Sequence, residues 1–112
     1  MLVIPLASGI HKCSMAKRGF VYIMADNRPT LYIGVTSNLV KRVKQHKEDW
    51  FNKSFTAKYH LHKLIYYEII EGMENAIKRE KEMKNMTRDE KLLMIKKFNS
   101  KFEDLYEKIY AF

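Results

Sequence analysis

The chain has 112 residues, of which 46% are hydrophobic and 30% are charged, and its formal net charge is +8 at pH 7. This length allows one domain with one modest core, and the hydrophobic content argues against an intrinsically disordered chain. No apolar run reaches the roughly 18 residues that a membrane-spanning helix needs. The single cysteine, Cys13, excludes an intramolecular disulfide and fits a reducing compartment such as the cytoplasm.

The excess positive charge is concentrated in the N-terminal half. Residues 17–63 carry ten Lys/Arg and three Asp/Glu, whereas residues 64–112 carry ten of each. A basic half suits a polyanionic partner such as nucleic acid, because phosphate groups attract clustered cations. The alternative is a charge that serves solubility and has no partner.

The first residues differ in character from the rest. Residues 1–14 hold a short apolar run with no basic residue before it, which makes a poor signal peptide. Met15 opens the sequence MAKRG, which has the appearance of a natural start. We therefore expect residues 1–16 to be a disordered or non-native N-terminal extension and residues 17–112 to form a single domain.

Two apolar runs after this extension predict a β-hairpin. Residues 20–25 and 31–35 are rich in the β-branched and aromatic side chains that strands favour. The five residues between them are types that turns prefer, so an antiparallel pair is expected. Tyr22 and Tyr32 then lie on adjacent strands, where tyrosines are more often packed than catalytic.

A helix is predicted to follow the hairpin over residues 39–49. Asn38 is an N-cap candidate, and the apolar stripe of the helix consists of Leu39, Val40 and Val43. Arg42 and His46 are four residues apart and therefore lie on one face beside that stripe. An arginine there can bind a phosphate through two hydrogen bonds, and a histidine can exchange a proton near neutral pH. Most exposed helical arginines and histidines have no such role, and that is the alternative.

Basic residues continue from this helix into the polar stretch 50–62, where aromatic residues alternate with lysines. Such aromatic residues can stack on nucleic-acid bases, or they can cover the core beneath a loop. His60 and His62 in this stretch are weak evidence for a metal site. The candidates for nucleic-acid contact are Lys41, Lys44, Lys53 and Lys58.

The C-terminal half predicts one strand and several helices. A buried third strand is expected over residues 64–70, and Gly72 follows it. Three helices are predicted over 73–86, 88–97 and 101–111, the last two from capping-box patterns. The element order ββ-α-β-ααα predicts an α+β domain with a small three-stranded antiparallel sheet flanked by helices.

Glu80 interrupts the apolar stripe of the first of these helices. Hydrophobic residues recur there at helical spacing, namely Met73, Ala76, Ile77 and Met83, and Glu80 occupies the next position. A carboxylate on a core face is costly unless it is paired, protonated or bound to a metal. The alternatives to a metal are an ion pair with Arg42 or a lysine, or a stripe that rotates and leaves Glu80 in water.

These residues together resemble the GIY-YIG endonuclease family. The second signature is intact as Tyr32-Ile33-Gly34. The first is present as Val21-Tyr22-Ile23, with valine in place of the usual glycine and Gly19 two positions ahead of it. The resemblance therefore rests first on two short segments that the predicted hairpin brings side by side.

The resemblance extends into both predicted helices. The spacing from the second signature to Arg42 and His46 is similar to that of the family, and so is Ala76 followed four residues later by Glu80. The match covers about residues 19–94. Within the family the chain is similar to small stand-alone bacterial proteins and to the nuclease domain of the incision subunit of excision DNA repair.

The resemblance implies a GIY-YIG nuclease-like fold and hydrolysis of phosphodiester bonds with one divalent metal ion, Mg²⁺ or Mn²⁺. Carried over by position, Glu80 binds the metal and Arg42 stabilises charge on the phosphate. Tyr32 is the candidate general base or water-positioning residue, Tyr22 assists it, and His46 orients the nucleophile or aids proton transfer. The implied partner is nucleic acid, with DNA favoured over RNA, and no membrane is involved.

Two functions from different classes follow. The first is a metal-dependent endonuclease acting on DNA, which the presence of all five candidate side chains favours. The second is a nucleic-acid-binding module that has kept the fold and lost useful turnover, because relatives of such a bare domain usually take affinity from attached domains. A third alternative is a basic subunit of a partner protein.

Overall fold

The computed structural model describes residues 18–48 and 59–109, which form an α+β fold. The strands are β1 (Arg18–Ala25), β2 (Leu31–Thr36) and β3 (Lys63–Glu71), and the helices are α1 (Leu39–Lys47), α2 (Met73–Lys84), α3 (Arg88–Phe98) and a 3₁₀ helix (Tyr106–Lys108). The predicted fold class is confirmed. The extension predicted over residues 1–16 lies outside the described residues, as do Lys53 and Lys58.

The three described strands form one antiparallel sheet in the order β2-β1-β3, so β1 is central and the hairpin prediction is confirmed. Tyr22 lies opposite Gly34, and Met24 lies opposite Tyr32. Because side chains alternate between the two faces of a strand, Tyr22 and Tyr32 are diagonal neighbours on the same face. On the other side of β1, Tyr67 lies opposite Tyr22.

Both faces of the sheet are covered, which explains why β1 reads as a continuous apolar run. Phe20, Tyr22 and Met24 belong to a buried cluster that includes residues of α1 and of the C-terminal segment. Val21 and Ile23 belong to a second cluster that includes residues of α2 and α3. In a strand that is buried on both faces, neither set of alternating side chains faces solvent, so both sets are apolar.

The helices begin where the sequence predicts. The side chain of Asn38 accepts a hydrogen bond of 3.1 Å from the Lys41 backbone, which caps α1. Thr87 and Glu90 form a complete capping box at the start of α3. Such caps satisfy backbone N–H groups that have no partner within the helix. None of the described helices has the length and apolar character to cross a bilayer.

The helix predicted over 101–111 is wrong. In the described part of this segment there is only the short 3₁₀ helix, because its backbone groups bind elsewhere. The side-chain amide of Asn99 donates to the carbonyl oxygens of Ile65 and Glu103, at 3.0 and 2.8 Å. The Leu105 amide donates to the Leu64 carbonyl at 2.7 Å. These bonds hold the segment against β3, so it does not form an α-helix.

Candidate active site

Three rings meet where β1, β2 and α1 come together. The hydroxyl oxygen of Tyr22 lies 2.8 Å from Nε2 of His46 in a buried hydrogen bond. The ring centroid of Tyr32 is 6.3 Å from that of Tyr22 and 5.5 Å from that of His46. Tyr22 is completely buried, whereas Tyr32 is partly exposed. The strand pairing and the start of α1 therefore bring together three of the five residues singled out in the sequence.

Gly34 makes room for the ring of Tyr22. A Cβ atom at position 34 would lie 2.5 Å from both Cζ and the hydroxyl oxygen of Tyr22. That separation is far below van der Waals contact, and the buried ring has no free space into which to move. The glycine is needed for this close approach and not for an unusual backbone angle.

Substituting Gly34→Ala is expected to destabilise the fold by about 1–3 kcal/mol, because an added methyl group in a packed region forces side chains from their rotamers. Urea denaturation measures the loss. The control is the same substitution in a Tyr22→Leu variant, which lacks the ring that the methyl group meets. There, Gly34→Ala should lower the free energy of unfolding clearly less than in the wild-type protein. Equal costs in the two backgrounds would contradict the assignment of Gly34 to this contact.

Burial and charge keep both members of the Tyr22–His46 pair neutral. Burial raises the pKa of Tyr22 well above that of an exposed tyrosine, and the nearby Tyr32 and Glu80 act in the same direction while Arg42 opposes them. Burial, together with the charge of Arg42, lowers the pKa of His46 to about 4. At pH 7 a neutral phenol therefore faces a neutral imidazole.

The lowered pKa of His46 predicts acid sensitivity of the fold. The unfolded chain takes up a proton on His46 below pH 6.5, whereas the folded protein does so only near its pKa of about 4, so stability falls as the pH drops through this window. Between pH 6.5 and 5 the loss should be about 2 kcal/mol. Urea denaturation at both pH values measures it. A His46→Gln variant, which does not titrate, should lose clearly less, and an equal loss would refute the explanation.

Arg42 and Glu80 supply opposite charges to this pocket. Arg42 is partly buried on α1, and its charge acts on both Tyr22 and His46. Glu80 comes from α2, on the opposite face of the sheet, and its charge still reaches Tyr22. Tyr22, Tyr32 and His46 are thus in one ring cluster, Arg42 adjoins it, and Glu80 acts on it from the other side of the sheet through its charge.

Glu80 lies on the buried side of α2, as its position in the apolar stripe predicts. Ala76 and Met83 on this stripe are fully buried, whereas Ile77 is 40% exposed. The Glu80 side chain is 13% exposed, and its Oε2 lies 2.7 Å from Nζ of Lys84. An ion pair with a lysine, one of the alternatives to a metal, is thus observed, and the partner is one turn away on the same helix.

Gly19 fixes the approach of α2 to the sheet. A Cβ atom there would lie 2.5 Å from Cβ of Ala76 and 3.0 Å from Sδ of Met73. Because Ala76 is one turn before Glu80, this contact determines how close the carboxylate comes to the sheet. The glycine two positions before the first signature therefore has a packing role.

Residues 18–99 match the family described as the GIY-YIG catalytic domain. The chain belongs to the GIY-YIG family. It is similar to small UPF0213 proteins, with 39% identity to one from Clostridium perfringens over 80% of this chain and 94% of that protein. Identity is 34% to one from Syntrophus aciditrophicus, over 70% and 91% of the two chains, and 36% to one from Staphylococcus aureus, over 69% and 93%. No solved structure matches.

Membership of the GIY-YIG family supports an endonuclease-type function and nucleic acid as the partner in general terms. The two signatures of the family lie on adjacent strands, where the tyrosines share a face and Gly34 accommodates one of them. The family signature thus has a structural explanation in this fold: Gly34 leaves room for the ring of Tyr22, which lies next to Tyr32.

The described residues contain no group of three or more His, Cys, Asp or Glu that could hold a metal ion by themselves. His60 and His62 are close, with ring centroids 5.9 Å apart, but no such group includes them. Glu80 remains the candidate ligand, as a single carboxylate. Of the lysines predicted to contact nucleic acid, Lys41 and Lys44 are exposed on α1, and the other two lie outside the described residues.

A buried ionic cluster between β3 and α2 was not predicted from the sequence. Glu68 on β3 is 2% exposed, and its carboxylate accepts hydrogen bonds from Nε and Nη2 of Arg79, at 2.8 and 2.9 Å. The hydroxyl of Tyr66 donates to the same carboxylate at 2.5 Å. Arg79 directly precedes Glu80, so this cluster fixes the part of α2 that carries the candidate metal ligand. A glutamate within an otherwise apolar predicted strand was the available signal.

Proposed function

We propose that this protein is a divalent-metal-dependent endonuclease that hydrolyses phosphodiester bonds in DNA. The observation that carries the proposal is the Tyr22–His46–Tyr32 ring cluster, on which the charges of Arg42 and Glu80 act, in a chain whose family model is that of a catalytic domain. Phosphoryl transfer needs positioning and charge stabilisation more than a covalent intermediate, and this set offers both.

A single carboxylate fits a magnesium or manganese ion in this setting. Mg²⁺ retains several waters and is usually held by one or two carboxylates together with substrate phosphates. Glu80 is partly exposed, so it can reach a hydrated ion. When bound, the ion polarises the phosphoryl oxygen and offsets charge on the leaving oxygen. Lys84, the partner of Glu80 in this structure, would have to yield its place to the ion.

Arg42 is the residue that we assign to the phosphate. Its guanidinium carries a permanent charge and can donate two parallel hydrogen bonds to phosphate oxygens. It is partly buried beside the Tyr22–His46 pair, where water screens its charge less than at the surface. The positive charge then stabilises the extra negative charge that develops on the phosphate during attack.

Tyr32 is the tyrosine that we assign to the attacking water. Tyr22 is completely buried and bound to His46, so it has no access to solvent and acts as a positioning residue. Tyr32 is partly exposed and its ring lies close to both. In the reaction a water oxygen bonds to phosphorus and gives its proton to Tyr32 as general base, the bond to the leaving oxygen breaks, and the leaving oxygen takes up a proton from solvent. His46 is buried and bound to Tyr22, so it acts by holding the ring cluster in place.

The second candidate is a nucleic-acid-binding module with little turnover. The observation that favours it is the ion pair between Glu80 and Lys84, which engages the carboxylate assigned to the metal. The basic N-terminal half suits both functions. The two are therefore distinguished by cleavage and not by binding.

The test is a cleavage assay of the purified protein on supercoiled, single-stranded and branched DNA and on RNA, with Mg²⁺, Mn²⁺ or EDTA. The proposal expects DNA to be cut with either metal and to remain intact in EDTA. Binding without cleavage under every metal would favour the second candidate. Cleavage at equal rates in EDTA would exclude the role of a metal.

A further inference from the structure

A second basic feature lies outside the candidate active site. A cleft of about 410 Å³ opens between the β1–β2 turn and the start of α3. Its walls are formed by Arg28, Pro29, Thr30, Leu31, Arg88 and Lys91. Three of these six residues are cationic. The function proposed above uses none of them.

Hydrogen bonds hold the two walls of the cleft together. Nη2 of Arg88 donates to the carbonyl oxygen of Pro29 at 2.8 Å, which joins α3 to the turn. Asp26 accepts hydrogen bonds from the backbone amides of Arg28 and Thr30, at 3.0 and 2.7 Å, and it also pairs with the Arg28 side chain. The cleft is therefore built from segments with fixed relative positions.

The cationic side chains outnumber the carboxylates that face them. Asp26 balances Arg28, and Arg88 binds an uncharged carbonyl oxygen. Lys91 has no ion-pair partner among residues 18–48 and 59–109. The nearby Glu90 is engaged in the capping box, where it accepts from the Thr87 amide at 2.9 Å. Two positive charges in the cleft are thus left for an anionic ligand.

The cleft lies close to the candidate active site along the edge strand β2. Leu31 lines the cleft, and it directly precedes Tyr32 in the pocket. Because successive side chains of a strand alternate between the two faces of a sheet, Tyr32 faces the Tyr22 cluster and Leu31 faces the cluster of the second and third helices. The cleft and the ring cluster therefore lie on either side of the same edge strand, and one nucleic-acid strand that crosses this edge can reach both.

We propose that this cleft binds a backbone phosphate of the nucleic acid a few nucleotides from the bond that is cleaved. The proposal rests on the proposed nuclease function, because it assigns the substrate of that site a second contact. Arg88 and Lys91 supply the charge, and Arg28 extends the positive surface at the mouth. Such a contact sets register and affinity without reading the base sequence.

The test measures binding of a labelled DNA duplex in EDTA, which prevents cleavage. Lys91→Gln should raise the Kd about fivefold, and the double variant Arg88→Gln/Lys91→Gln should raise it at least about tenfold. Each lost phosphate contact should make the slope of log affinity against log salt concentration shallower by about one. The matched control is Lys96→Gln, which removes an exposed lysine from the same helix away from the cleft and should change the Kd less than about twofold. Thermal unfolding checks that all variants fold.

A second measurement locates the phosphate. Single methylphosphonate substitutions, which remove one backbone charge, are placed along a DNA strand that contains a defined cleavage site. One position within a few nucleotides of that site should weaken wild-type binding, and the double variant should be insensitive to it. Equal binding by Lys91→Gln and Lys96→Gln would overturn the cleft proposal and leave the nuclease proposal intact. Failure of the wild-type protein to bind any nucleic acid would overturn both.

Discussion

Replacing Glu80 with glutamine is expected to reduce metal-dependent cleavage by about a thousandfold or more. A bound metal ion contributes several kcal/mol of charge stabilisation in the transition state, and each 1.36 kcal/mol corresponds to a tenfold change in rate. Glutamine keeps the size of the side chain and removes its charge, so the ion loses its protein ligand. The fold should be little affected, because the lost partner, Lys84, is largely exposed and such pairs contribute less than about 1 kcal/mol.

The measurement is the single-turnover cleavage rate at saturating protein over a range of Mg²⁺ concentrations. The matched control is Glu74→Gln, which neutralises an exposed glutamate on the same helix and should retain the wild-type rate. Binding of DNA in EDTA should be unchanged or slightly tighter for Glu80→Gln, since a negative charge has been removed from the pocket. If Glu80→Gln cleaves at the wild-type rate, the assignment of the metal ligand is wrong and a contaminating nuclease becomes the explanation.

Arg79→Met is expected to lower the free energy of unfolding by about 3 kcal/mol, because it leaves the buried carboxylate of Glu68 without its cation. The hydrogen bond from Tyr66 remains, but a single neutral donor does not compensate a buried charge. Urea denaturation at pH 7 measures the effect.

Two further variants separate the buried pair from its surroundings. Glu82→Gln removes the other partner of Arg79, whose side chain is 64% exposed, and should cost less than about 1 kcal/mol. Adding Glu68→Leu to Arg79→Met should recover much of the stability, because it removes the stranded charge. If Arg79→Met lowers the free energy of unfolding equally in the wild-type and Glu68→Leu backgrounds, Arg79 stabilises the fold through packing alone.

The local features of the fold were predictable from the sequence. Strand β1 and the caps at Asn38 and Thr87 depend on residues within a few positions of each other, and the structure has them where the sequence predicts. The error at 101–111 has a non-local cause. Asn99 and Leu105 bind the β3 backbone, and a capping-box pattern in the sequence contains no information about that partner.

The candidate site was partly predictable for the same reason. Glu80 is visible as a carboxylate in an apolar stripe, and Arg42 and His46 share a face because they are one turn apart. The hydrogen bond between Tyr22 and His46 joins residues 24 positions apart and depends on how α1 packs on the sheet. The choice between the tyrosines likewise needed their burial, which follows from the complete packing of the core.

The contacts between distant elements were beyond the reach of the sequence. The Glu68–Arg79 pair joins a strand to a helix across 11 positions, and nothing in either segment specifies the other as its partner. The basic cleft joins the β1–β2 turn to the start of α3 through a bond that spans 59 positions.

The most direct test of the central claim is cleavage of DNA in ¹⁸O-labelled water, followed by mass spectrometry of the products. The wild-type protein with Mg²⁺ should place one ¹⁸O atom in the terminal phosphate that each cleavage leaves on one of the two new ends, because the attacking oxygen comes from water. The same reaction in EDTA, or with Glu80→Gln, should yield almost no labelled terminal phosphates. New terminal phosphates that carry no label, or equal labelling by the Glu80→Gln protein, would contradict a metal-dependent hydrolysis at this site.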